Sequence, residues 1–140
     1  MIENYELSSY SAESIKPYFT SITNENVNLI RHNSTLANGI QITNSDIFSI
    51  IINQFPSNCG IVVFSDLSIR FGKDKNTLFE CLEKLVYDMG FTVVMYTTLN
   101  QSRYESLHET LKSRGYKTLE EFDNHRTDNH NFIWFKSLRS

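Results

Sequence analysis

The sequence predicts an α/β fold on a mixed central sheet, with parallel strands joined through a helix and an antiparallel hairpin at the C-terminal end. Three observations carry this expectation. From residue 59 onward, apolar runs of strand type alternate with segments of helical period, in the order strand, helix, strand, helix, strand, strand. The helix between the first two of those strands spans about four turns, and a crossover of that length joins strands that lie parallel. The 140 residues are 40% hydrophobic and 13% aromatic, with two Pro and five Gly, which suits one domain with a real core and fits neither disorder nor a disulfide scaffold.

The elements follow in chain order. NYELSSY (4–10) alternates as a strand does. SAESIKPYFTSI opens with Ser11 in a capping position, with Glu13 and Ser14 behind it, and Pro17 limits how the helix can begin. NSDIFSIIINQFP (44–56) starts with a capping Asn or Ser, spaces Ile47, Ile50 and Ile51 like a buried helical face and stops before Pro56. A short helix is expected there, although Ile-rich sequence also suits a strand. The remainder of the first 58 residues is rich in Asn, Ser and Thr and has weak periodicity.

CGIVVFSDLSIRF (59–71) is β-branched and partly alternating, which predicts one long strand or a strand with a bulge near Ser65 and Asp66. NTLFECLEKLVYDMGF (76–91) places Leu78, Leu82, Leu85 and Met89 on one helical face, is capped by Asn76 or Thr77 and ends at Gly90. TVVMYTTL (92–99) reads as a central strand covered on both faces. NQSRYESLHETLKSRGYK (100–117) is a second amphipathic helix, with Leu107 and Leu111 inward and Gly115 as its stop. KTLEEFDN and NFIWFKSL then flank the polar turn HRTDNH as a terminal hairpin. Ile133 and Phe135 alternate with Phe132 and Trp134, as on the two faces of a buried strand.

A net charge of −3 provides no global attraction to nucleic acid or anionic lipid. Residues 1–58 hold only Lys16 and Arg31 as cations against Glu3, Glu6, Glu13, Glu25 and Asp46, so any anion site is expected in the second half. Nucleic-acid binding through Arg70, Lys73, Lys75, Arg103 and Lys112 is poorly served by this acidic balance. Cys59 and Cys81 are expected to be reduced, buried thiols, Cys81 a core residue rather than a nucleophile. Asp123, His125, Asp128 and His130 are metal-ligating types, but their spacing fits no closed zinc pattern and no metal site is expected. With no charged leader and no apolar run near the ~20 residues that span a bilayer, a cytoplasmic protein is expected, with no membrane partner.

The order from residue 59, with LEKLVYDMGFTVVMYTTLN at its centre and LKSRGYK closing the next helix, resembles the GNAT acetyltransferase superfamily. The Gly-aromatic pair that ends that helix in the family is here Gly115 and Tyr116. The tail FDNHRTDNHNFIWFKSL further resembles GNAT-like proteins of tailed bacteriophages, which would place the chain in the cytoplasm of an infected host. The resemblance covers residues 59–138, leaving 1–58 as a divergent N-terminal part of a single domain spanning 1–140.

The resemblance implies a GNAT-like fold in which two parallel strands splay at a coenzyme cleft, and it implies acetyl-CoA as acyl donor. The stretch IRFGKDKNTLFECLEKL (69–85) occupies the place of the family's pyrophosphate turn: Arg or Gln, two residues, Gly, one residue, then Gly or Ala. Such a turn works because backbone N–H groups at a helix start point at phosphate and small residues let it approach. Arg70 fits the first position. Counting back from Leu78 and Phe79, Lys73 and Lys75 fall where small residues are expected, and Gly72 lies one place early, so the motif is degenerate. Residues Arg70, Phe71, Gly72, Lys73, Asp74, Lys75 and Asn76 are the implied phosphate-binding segment, with the cations as side-chain ligands. Asn100 is implied beside the pantetheine arm.

Acetyl transfer to an amine needs a base for the amine proton and an acid for the leaving thiolate. By resemblance, Tyr104 or His108 supplies the acid and Asp66 the base, with Glu80 the second choice. Two functions compete: an acyl-CoA-dependent N-acyltransferase acting on an amine of a small molecule or protein, and an inactive GNAT-fold protein that binds and modulates a host protein.

Overall fold

The computed structural model describes residues 10–23, 25–33, 38–44, 48–54, 60–69, 75–99, 105–118 and 131–138. In chain order these form α1 (Ala12–Ile15), which runs into a 3-10 turn (Lys16–Phe19), β1 (Asn28–Asn33), β2 (Asn38–Asn44), β3 (Phe48–Gln54), β4 (Ile61–Ile69), α2 (Lys75–Asp88), β5 (Val93–Leu99), α3 (Glu105–Ser113), β6 (Lys117–Thr118) and β7 (Asn131–Ser137). The seven strands make one sheet in the order β1-β2-β3-β4-β5-β7-β6. Only the β4–β5 pair is parallel; the rest of the described ladder is antiparallel. The mixed α/β architecture expected from the sequence is the one observed.

Local chemistry accounts for the helix ends. Ser11 is the N-cap, as expected, and forms a capping box with Ser14, each side chain accepting from the other's backbone N–H. Helices α2 and α3 both close on a left-handed glycine, Gly90 at φ 103° and Gly115 at φ 90°. The N–H of Phe91 reaches Val86 O and that of Gly90 reaches Tyr87 O; Tyr116 reaches Leu111 and Gly115 reaches Lys112 in the same pattern. This double closure is the Schellman motif, and the aromatic residue after each glycine is buried beneath it.

One N-terminal expectation changes and one falls outside the described residues. The strand expected over 4–10 lies outside the described residues apart from Tyr10. Within the stretch 44–56, where a short helix is expected and a strand is the alternative, Phe48–Gln54 form strand β3, paired with β2 and β4. Phe48, Ile50 and Ile52 are its buried positions, a period of two, and the β-branched isoleucines suit a pleated surface better than a helix. Helix α2 also begins one residue early, so Asn76 and Thr77 lie in its first turn rather than capping it.

The core is organised on one sheet face. Ile40, Ile52, Phe64, Tyr96 and Trp134 are direct cross-strand partners in turn, and each is at most 4% exposed. This buried row crosses five strands, and helical side chains close over it. The Phe79 ring lies 6.4 Å from Phe64 and 6.1 Å from Tyr96, and Phe19 stacks on Phe48 at 5.1 Å. Leu78, Leu82, Leu85, Leu107 and Leu111 face inward as their spacing predicts.

Candidate active site

The site begins where the parallel ladder stops. Strands β4 and β5 pair from Ile61 with Val93 to Phe64 with Tyr96 and no further. Beyond that point β4 continues to Ile69 against β3, and β5 continues to Leu99 against β7. The two strands therefore part into a fork with Phe64 and Tyr96 at its vertex. The register on the other side of β4 changes at the same place: between Ser49 and Ile51 on β3, the partner strand advances from Ser68 to Ser65, one residue more than β3 does. An extra residue on one strand is a β-bulge, which bends that strand and increases its twist. Of the two alternatives read from the sequence, the strand with a bulge near Ser65 and Asp66 is the one that fits this register, and the bulge lies just beyond the last β4–β5 pair.

A fork of this kind is a binding feature of α/β sheets. It opens at the carboxyl ends of two parallel strands, where their connections leave in different directions. The edges that face one another across it are not joined by a ladder, and strand edges carry backbone N–H and C=O groups able to pair with an amide-bearing ligand.

The predicted residues distribute as follows. Asp66 lies in the bulged part of β4, though its side chain is outside the described residues, as are Arg70, Phe71, Gly72, Lys73, Asp74, Asn100 and Tyr104. Lys75 is the first residue of α2 and Asn76 the second, half-buried and exposed respectively. His108 lies one turn into α3, with its ring 5.3 Å from that of Trp134. Trp134 is the cross-strand partner of Tyr96, so His108 sits over the buried row one strand from the fork vertex. Glu80 is exposed on the far side of α2 and is not brought to the fork. The metal-ligating types Asp123, His125, Asp128 and His130 lie outside the described residues.

One group escaped the sequence reading. Glu83, 8% exposed on the inward side of α2, accepts from four donors: Arg114 Nε at 3.2 Å, Arg114 Nη2 at 2.8 Å, the Tyr116 hydroxyl at 2.8 Å and Lys136 Nζ at 3.0 Å. Lys136 also lies over the Tyr116 ring. Burial on its own would raise the Glu83 carboxyl, but the hydrogen bonds from Arg114, Tyr116 and Lys136 outweigh it and hold the group below the usual carboxylate range. Burial and the neighbouring carboxylate raise the Tyr116 phenol, which therefore stays protonated as a donor. The signal available in the sequence was a carboxylate four residues after Phe79, on the apolar stripe of the helix, where an unpaired charge is not tolerated.

A separate groove of about 610 Å³ runs between the N-terminal helical segment and α2, lined by residues including Tyr18, Ser21, Glu80, Cys81, Lys84 and Asp88. Its polar groups engage one another. The Tyr18 hydroxyl donates to Asp88 at 2.6 Å, which pushes its pKa up to about 12, and Lys84 pairs with Asp88 at 3.3 Å. Cys81 contacts the Ser21 hydroxyl at 3.4 Å and is buried, and burial raises its thiol. The thiol is a core group here, as its sequence context suggested. Of the described residues predicted for catalysis or coenzyme binding, only Glu80, the second-choice base, lines this groove. Asp66, Lys75, Asn76 and His108 belong to the elements that form or border the fork, so the fork is the stronger candidate.

The fold has solved counterparts. A protein from Desulfovibrio desulfuricans assigned to the GNAT acetyltransferase family superposes with a TM-score of 0.54 over 74% of this chain and 69% of its own, at 14% identity. The aminoglycoside 6'-N-acetyltransferase of Enterococcus faecium does so with a TM-score of 0.51 over 76% of each chain, at 13% identity. A Bacillus subtilis acetyltransferase solved in complex with CoA matches with a TM-score of 0.50 over 81% of this chain and 99% of its own, at 10% identity. No protein-family model matches the sequence, and no curated protein matches it. The chain has the fold of GNAT acetyltransferases.

Proposed function

We propose that this chain is an acyl-CoA-dependent N-acyltransferase that moves an acetyl group from acetyl-CoA to an amine of a small molecule or protein. The observation that carries the proposal is the fork: a bulged β4 parting from β5 immediately after Phe64 and Tyr96, with α2 starting shortly after the end of β4. Two unjoined strand edges suit the amides of a pantetheine arm, and a helix start suits a pyrophosphate. The fold shared with acetyltransferases, one of them solved with CoA, supports the same reading.

In this proposal the segment from Arg70 to Asn76 holds the pyrophosphate, with Arg70, Lys73 and Lys75 as cationic ligands offsetting the missing small residues, and Asn100 borders the pantetheine arm. The amine nitrogen attacks the thioester carbonyl carbon, a C–N bond forms and the C–S bond breaks. Asp66 accepts the amine proton, and His108 or Tyr104 returns a proton to the departing thiolate. His108 is the better supported acid, because its ring already lies over Trp134 beside the vertex. The same proposal treats residues 1–140 as one domain encoded by a tailed phage and acting in the host cytoplasm.

The test is thiol release. Incubated with acetyl-CoA and a panel of polyamines, aminoglycosides and lysine peptides, the protein should liberate coenzyme A thiol only when an acceptor amine is present. No release with any acceptor, together with no binding of acetyl-CoA, would instead favour a fold that has exchanged catalysis for binding a host protein.

A further inference from the structure

Glu83 and its donors join the two arms of the fork. Helix α2 follows β4 in the chain and belongs to that arm, whereas Arg114, Tyr116 and Lys136 lie at the end of α3 and on β7, which pairs with β5. Arg114 does more than pair with the carboxylate. While its Nε and Nη2 grip Glu83, its Nη1 reaches the backbone carbonyl of Asn76 at 3.4 Å, in the first turn of α2. One planar guanidinium thus touches two points on α2, seven residues apart, from the opposite arm. Arg is suited to this because its donors form a rigid fork; a lysine in its place has one point of attachment.

We infer that Arg114 is a positioning residue for coenzyme binding: it fixes the first turn of α2 against the β5 arm and so sets how phosphate is presented at the helix start. The inference rests on the acyl-CoA reading and deepens it. Glu83 holds Arg114 in place, Tyr116 and Lys136 fill the remaining carboxylate positions, and the guanidinium has no need to touch the ligand.

The experiment compares wild type, Arg114→Lys and Arg114→Gln in titrations with coenzyme A and with S-acetylpantetheine, which has the arm but no pyrophosphate. Arg114→Lys keeps a cation beside Glu83, so the fold is retained even where the Gln variant is compromised. Expected is a selective effect: coenzyme A binding weakened by ~10-fold in Arg114→Lys, the scale of one charge-assisted hydrogen bond, with S-acetylpantetheine binding unchanged. Equal coenzyme A binding by variant and wild type would overturn the positioning role and leave the acyl-CoA reading intact. Equal weakening of both ligands would overturn it in favour of a general structural role. Binding of neither ligand by wild type would overturn both.

Discussion

Phe64 and Tyr96 are the last partners of the parallel ladder, both buried, and the Phe79 ring of α2 rests on the pair. Phe79 also meets Tyr116 edge-on at 6.0 Å, so one side chain packs the vertex of the fork and the end of α3 together. Removing that ring leaves a cavity at the centre of the core. Phe79→Ala should destabilise the protein by about 3–5 kcal/mol in urea titrations, and a loss below about 1 kcal/mol would mean that the vertex is not packed as described.

Glu83 makes acid sensitivity predictable in sign. Its folded value lies below the ordinary 4.5, so its contribution is fully present above that value and fades as pH falls through the lower folded one. The stability difference between wild type and Glu83→Gln should stay constant from neutral pH down to about pH 5 and shrink once the pH falls below the ordinary 4.5. A difference that grows on acidification would contradict the assigned network. Glu83→Ala, which leaves Arg114 and Lys136 facing each other without an anion, should cost about 3 kcal/mol at neutral pH.

Gly115 separates conformational cost from crowding. A β-carbon there would meet nothing within 4 Å, yet the backbone sits at φ 90°. Gly115→Ala should therefore lose about 1–2 kcal/mol from left-handed strain alone, measured by chemical denaturation. An unchanged midpoint would show that α3 does not end in this conformation.

Burial of Cys81 should protect it from alkylation. In a Cys59→Ser background, iodoacetamide at pH 8 should label native Cys81 far more slowly than the urea-unfolded chain, because the thiol is both occluded and shifted away from the thiolate. Comparable rates in the two states would place the thiol at the surface.

Much of the second half was legible in the sequence for identifiable reasons. Leu78, Leu82 and Leu85 recur at helical spacing, and glycines 90 and 115 stand where a left-handed closure is required. The bulge was readable because Ser65 and Asp66 interrupt a β-branched run. The first half resisted. Ile47, Ile50 and Ile51 satisfy a helical period by spacing alone, while the strand partners that bury Ile50 and Ile52 in β3 lie elsewhere in the chain. Strand β1 (NLIRHN) turns Leu29 toward the core and leaves Ile30 exposed, and β2 (NGIQITN) buries two isoleucines, Ile40 and Ile42, among polar residues, too few apolar positions to set a period. The Glu83 cluster was invisible for a related reason: its donors are 31, 33 and 53 residues away, and only the fold brings them together.

Thermal stabilisation by acetyl-CoA decides whether the fork is a coenzyme site. At about 100 times its dissociation constant, a specific ligand stabilises the native state by ~2.7 kcal/mol, so the melting temperature should rise clearly with acetyl-CoA and much less with S-acetylpantetheine at equal concentration. An unchanged melting temperature at millimolar acetyl-CoA would contradict the fork as a coenzyme site.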